Sequence, residues 1–209
     1  MIIVENIACW GFGAAIRGMR NPMSSWEKSD SYVDQDGTEI GPNDLALMKK
    51  LCHAGPEHRK FMRQIFISMD ITAPLYWWKE FDQYKVGVVT DSCSTMHTIA
   101  AREFESGDFS HEHICYPGYL DLLGDIIDAL NEARDLYLRT NNKDNWWEMI
   151  QLLPSSYNQK RTVTMSYENA RSIIHQRRGH KLDEWNRLCD VLETLPYMED
   201  LIGKGGIRK

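Results

Sequence analysis

The residues richest in chemistry lie together near the C-terminal end, in Asn169-Ala-Arg-Ser-Ile-Ile-His-Gln-Arg-Arg178. Read as a helix at ~100° per residue, Arg171, His175 and Arg178 follow the i, i+4, i+7 rule and share one side. Ala170, Ile173 and Ile174 form an adjoining apolar stripe, so the basic row borders a core. Two guanidiniums and an imidazole at such a rim can clamp an anion, because the planar fork of Arg matches phosphate or a carbonyl edge. A solvated basic stripe near a helix C-terminus is the other reading. A second group is Lys79-Glu-Phe-Asp-Gln-Tyr-Lys85 with the hydroxyl-rich Val86–Thr95 stretch behind it. A loop of this kind feeding a helix at Ser94 can cradle phosphate, or can be an ordinary capped helix start. Cys93 is a thiol near that start, without a base partner assignable from sequence. His111-Glu-His113-Ile-Cys115 alternates metal-ligand types, but one short stretch does not close a site. Cys52-His53 and Glu57-His58 flank the Gly55-Pro56 turn and offer histidines for ligand contact or for plain surface positions.

The elements that must position these groups are legible in part. Residues 2–9 read as a first strand, and as that instead of a signal peptide because Glu5 interrupts the apolar run. Residues 13–20 read as a short helix, and 21–42 as a long loop of the functional or mobile kind. A helix is expected over 43–54, with Asn43 as N-cap and Gly55 closing it, then another over 56–64 opened by Pro56. Ile65, Ile67, Met69 and Ile71 alternate with mostly polar residues and predict a half-buried strand over 65–72. Helix 74–85, with Tyr76, Trp77 and Trp78, is apolar nearly all round and is expected to be buried partly by another subunit. A loop at 86–92, a helix from Ser94 to about Glu105, a loop at 106–117 and helices at 118–141 and 143–152 follow. Strand 160–167 and helices 168–178 and 181–194 complete the order.

Composition narrows the class. The chain has 209 residues and 43% hydrophobic content, enough for one domain with a sizeable core. Its formal charge of -6 and pI near 5.6 argue against nucleic acid as a partner; the basic run is the short Lys204–Lys209 tail. Five scattered cysteines read as reduced thiols of a cytoplasmic protein. No stretch approaches the ~20 apolar residues of a membrane span. Seven Trp and nine Tyr point to core, to an interface, or to a stacking wall for a ring ligand.

The Asn169-Ala-Arg-Ser segment is preceded by Leu152-Leu-Pro154 and followed by Arg178 and Asp183-Glu-Trp185. In this it resembles the C-terminal signature of flavin-dependent thymidylate synthases, in which an LP turn leads to a strand, an N-x-R-S helix, an arginine and an AQWE-like stretch. Upstream, Glu57-His58, a strand, Ala73-Pro74 and an aromatic helix run in the same family's order. The resemblance covers roughly residues 45–190. It implies an α/β (α+β) single domain over 1–209, with a central, mainly antiparallel sheet flanked by helices. It implies a homotetramer that holds FAD and a pyrimidine deoxynucleotide such as dUMP, with NADPH and methylenetetrahydrofolate as co-substrates. Reduced flavin supplies hydride in that family, and the protein needs no nucleophile of its own. Carried over, the resemblance assigns His58, Asn169, Arg171 and His175 to the cofactor. It assigns Gln83, Lys85, Asp91, Ser94 and Arg178 to the nucleotide, with Tyr84 and Lys85 as candidates for catalysis.

The departures are local. The family's RHR triplet falls on Gln83-Tyr84-Lys85, its first serine on Val88, its NE pair on Thr90-Asp91 and its S-x-R on Cys93-Ser94-Thr95. The arginine expected four residues before the LP proline falls on Ile150. The usual nucleotide is expected to bind poorly unless Lys85, Arg59, Lys60 or Arg63 substitutes. Three readings follow: a flavin-dependent one-carbon transferase; a family-fold protein without catalysis that binds a nucleotide or a protein; and an unrelated helical interaction protein docking through 74–85.

Overall fold

The computed structural model describes residues 1–33 and 37–203; the 34–36 part of the long loop and the Lys204–Lys209 tail lie outside the described residues. The fold is mixed α/β, with a four-stranded antiparallel sheet flanked by helices. Its strands are β1 (Ile3–Trp10), β4 (Phe66–Pro74), β6 (Asn158–Ser166) and β5 (Val88–Ser92), in that spatial order. A small antiparallel ribbon pairs β2 (Tyr32–Val33) with β3 (Thr38–Glu39). In β4 the expected alternation holds: Ile67, Met69, Ile71 and Ala73 are fully buried between more exposed neighbours, as a pleated strand with one face on a core requires.

Contacts divide the chain into two compact units. The first comprises Met1–Ile3, Ile71–Gln83 and Asp91–Thr162. It contains α3 (Leu75–Phe81), α4 (Thr95–Thr98), α5 (Pro117–Thr140) and α6 (Lys143–Leu152). Asn141 takes the left-handed conformation that ends α5, and the Asn142 side chain accepts from the Asp144 amide to start α6, so two asparagines make the helix hairpin. Leu123, Leu130 and Ala133 of α5 close on Met149 of α6 and on Ile99, Phe104 and Phe109. In α3 the rings of Trp77, Trp78 and Phe81 contact one another at centroid separations of 4.9–5.3 Å and are essentially fully buried within this one chain. The aromatic side of the helix expected over 74–85 is thus covered by this chain's own core. The helix is also shorter than expected, ending at Phe81. The helix expected from Ser94 to Glu105 is likewise only four residues long. Ile99 and Phe104 are drawn into the α5 core, and a Glu105/Asp108 capping box starts a separate 3-10 turn.

The second unit comprises Val4–Asp70, Tyr84–Thr90 and Val163–Lys209. It holds α1 (Phe12–Arg20), α2 (Pro42–Ala54), a 3-10 turn at Arg59–Gln64, α7 (Tyr167–Arg177), α8 (Asp183–Glu193) and α9 (Met198–Ile202). Asn43 is not the cap of α2. Gly41 holds the N-cap position with Pro42 at N1, and Asp30 reaches in from the loop to accept from the Asn43 and Asp44 amides at 2.9 and 3.0 Å. A Cβ on Gly41 would lie 2.3 Å from both the Asp30 carboxyl carbon and its carbonyl oxygen, which explains the glycine. The long loop is organised by buried Asp44. Its Oδ2 accepts from Ser29 Oγ, from the Asp30 and Ser31 amides and from Ser31 Oγ, and its Oδ1 accepts from Arg20 Nε at 2.6 Å. The helix expected over 56–64 is the 3-10 turn. The loop expected over 86–92 contains edge strand β5, and α9 has no counterpart in the expected elements.

Candidate functional site

The junction of β6 and α7 builds the site. Ser166 caps α7 by accepting from the Asn169 amide at 3.2 Å, and its hydroxyl donates to Asn169 Oδ1 at 2.5 Å. Asn169 Nδ2 donates to the Val86 carbonyl at 2.8 Å. The next residue, Gly87, has φ +74, and a Cβ there would approach Asn169 Oδ1 to 3.1 Å. Asn169 thus ties the turn before β5 to the start of α7. Ala170, Ile173 and Ile174 bury the adjoining stripe, as the sequence periodicity expects, and Tyr167 is buried with them.

Arg171 and His175, one turn apart, stand together over the 3-10 turn and α9. Glu168, in the first turn of α7, accepts from Arg59 Nε at 3.2 Å and forms a second, close ion pair with Arg63. Arg59 and Arg63 thus share one carboxylate, and the Arg171 guanidinium lies within electrostatic reach of both Arg59 and Glu168. Burial lowers the Arg171 pKa, and the neighbouring Arg59 charge lowers it further. Burial also holds His175 below its ordinary value, with the Arg171 and Arg59 charges adding to it, while its hydrogen bond to the Ile202 carbonyl pulls the other way. Positive charge is crowded here, and a bound anion would relieve that mutual repulsion. Burial pushes the Cys52 thiol beneath this cluster up to about 11, so it stays protonated and inert.

The remaining expected residues divide. Arg178 leaves the row: as the C-cap of α7 it turns to α8, where Nη1 meets Asp190 at 2.6 Å and Nη2 meets Glu193 at 2.7 Å. His58 is exposed, 3.5 Å from Glu57. Tyr84 is built into a clamp: its hydroxyl accepts from Arg177 Nε at 2.9 Å and donates to Gln176 at 3.0 Å, and Arg177 lies 4.5 Å over the Trp185 ring. Lys85 is exposed in the same unit. In the first unit, Gln83 and Asp91 are exposed, and Ser94 receives the Thr98 amide on its carbonyl without capping through its side chain. Nearby Cys93, Thr95, Thr98, Arg102, Tyr157 and Lys160 line a cavity of about 350 Å³. His111 Nδ1 is bonded to the Phe109 carbonyl, and among the described residues no His/Cys/Asp/Glu group is arranged to hold a metal. Among them, too, no helix is long and apolar enough to cross a membrane.

Sequence reasoning missed Glu168 as the hub and treated Arg59 and Arg63 only as stand-ins. Their i, i+4 spacing was a usable signal, but the partner lies more than a hundred positions away.

The sequence matches no protein-family model and no curated protein. Solved structures do match. Two of the flavin-dependent thymidylate synthase ThyX from Helicobacter pylori, with FAD and dUMP, superpose with TM-scores of 0.69 and 0.71 at 17% identity. They cover 99% and 100% of this chain, and the same shares of theirs. The UMP/dUMP methylase PolB from Streptomyces cacaoi, bound with 5-Br dUMP, gives 0.62 at 12% identity over 97% of this chain and 93% of its own. The order of elements that the sequence resemblance implied is thus realised in three dimensions: over nearly its whole length the chain has the fold seen in flavin-dependent thymidylate synthases.

Proposed function

We propose that the protein is a flavin-dependent enzyme of the thymidylate synthase type, which binds FAD and transfers a one-carbon unit to a pyrimidine nucleotide. The observation that carries this reading is the pairing of Arg59 and Arg63 on the single carboxylate of Glu168, with Arg171 and His175 close enough to Arg59 to feel its charge. The donor set fits a flavin. Guanidinium forks at a half-buried rim suit a diphosphate and the carbonyl edge of an isoalloxazine, and a net positive site favours the anionic reduced form. The bound proteins of similar fold named above, with FAD and dUMP or 5-Br dUMP, support the same ligand classes.

In this reading flavin, when bound, supplies the hydride. Arg171 and Arg59 bind and orient it. Glu168 keeps the two flanking guanidiniums fixed, and Asn169 sets the turn that carries Lys85. His175 stays neutral near neutral pH and offers a hydrogen bond instead of a further charge. The cavity beside Cys93, with hydroxyls from Thr95, Thr98 and Tyr157, is of a kind that suits a base or sugar.

A second reading has a specific observation behind it. Tyr84, in the triplet where the family carries RHR, is consumed in the Arg177–Trp185 clamp and serves structure. A scaffold that binds flavin or nucleotide without catalysis fits that substitution.

The test is the absorbance spectrum of protein reconstituted with FAD and desalted, alongside Arg171→Ala. A flavin band near one per chain that is lost in the variant supports the flavin site; no band in the parent protein overturns it. If the band is present, turnover of dUMP with methylenetetrahydrofolate and NADPH separates the enzyme from the scaffold.

A further inference from the structure

Arg171 Nε donates to the Leu201 carbonyl at 3.1 Å and its Nη2 to the Ile202 carbonyl at 3.3 Å. His175 Nε2 lies 3.0 Å from the same Ile202 carbonyl. These oxygens belong to the last two residues of α9, where helix carbonyls lack partners in their own helix and carry the negative end of the helix dipole. The donors that the proposed cofactor needs are thus engaged by the chain's own backbone. The fastening of α9 can be named residue by residue. Met198 and Leu201 are fully buried, and Asp200 pairs with Lys49 of α2 at 2.5 Å across a largely exposed bridge. The segment is bounded by two left-handed residues, Tyr197 at φ 60 and Gly203 at φ 76. The Tyr197 hydroxyl anchors the near end, accepting from the Ile40 amide at 3.0 Å.

We propose that α9 is an autoinhibitory strap. Its terminal carbonyls imitate the oxygens of an anionic ligand on Arg171 and His175, and FAD must displace them to bind. The proposal rests on the flavin reading of this site. Its physical basis is charge. Carbonyl dipoles offset only part of the repulsion between Arg171 and Arg59, whereas a diphosphate or an anionic flavin ring brings full charge to the same donors. The apparent affinity is lowered by the fraction of molecules with the strap closed.

Two substitutions loosen the strap while leaving every side chain of the cation cluster in place. Lys49→Ala removes its exposed ion pair, and Leu201→Ala removes buried surface on which it docks. FAD dissociation constants, read from flavin fluorescence, are expected to fall roughly twofold to fivefold for Lys49→Ala and about tenfold or more for Leu201→Ala. Hydrogen exchange at the amides of 198–203 in the parent protein is expected to speed up when FAD is added. Unchanged affinity in Lys49→Ala, which conserves the core, overturns the strap while leaving the flavin site standing. Slower exchange at 198–203 on FAD addition also overturns it, since α9 would then close over the ligand. Absence of FAD binding in all three proteins overturns the flavin reading, and the strap with it.

Discussion

Asp44 shows how much a single side chain can organise. It is fully buried, yet burial does not leave it protonated: hydrogen bonds from Ser31, Ser29 and Arg20 outweigh the desolvation and hold its pKa below the ordinary value. A buried carboxylate satisfied in this way costs little while every partner is present and a great deal when one is lost. Asp44→Asn is expected to destabilise the protein by ~3–5 kcal/mol in urea unfolding, with faster hydrogen exchange across residues 25–33. His175 makes a pH prediction. Its folded pKa lies below the ordinary 6.5, so as pH falls through 6.5 the unfolded chain takes up the proton first and the folded state loses stability. His175→Gln keeps a donor for Ile202 and cannot titrate. Its unfolding midpoint is expected to fall less between about pH 7 and 5 than that of the parent, and equal slopes would reject the assignment.

At the scale of the element, helix starts decide where the chemistry sits. The α2 start is capped from outside by Asp30, which requires close approach at Gly41. Gly41→Ala is expected to push Asp30 away and cost about 1–3 kcal/mol, measured by thermal or urea unfolding; an unchanged midpoint would show that the loop adapts freely. The α7 start works differently, because Ser166 and Asn169 satisfy it locally. Here the periodicity of Ala170, Ile173 and Ile174 was enough to orient the helix, since burial of an apolar stripe fixes rotation about the axis. The same periodicity misplaced Arg178. It lies at the point where helical dihedrals end, so its angular position on a wheel no longer applies, and the acids of α8 draw it away.

At the scale of the whole molecule, the formal charge is -6, yet Arg59, Arg63 and Arg171 are concentrated at one place. Such a point source suits a small anion and not an extended phosphate backbone, which needs a stripe of cations. No mobility shift of a 30-base-pair DNA duplex is expected at ~150 mM salt and micromolar protein. A salt-sensitive shift under those conditions would reject the small-anion reading.

The sequence by itself determined strands β1, β4 and β6 and helix α7 around the site, the stripe of α7 that faces the core, and the two helices of the α5–α6 hairpin; it did not determine β5, the 3-10 turn or α9. These follow from periodicity and caps, which are local. It also carried the resemblance whose fold the structure realises. Only the tertiary structure decided which charges meet. Glu168 joins Arg59 and Arg63 across 105–109 positions of chain. The α9 carbonyls take up Arg171 and His175, and Tyr84 is committed to Arg177 and Trp185. Charge pairing acts through space over a few ångströms, and nothing in local spacing records which distant segments the fold will bring within that range.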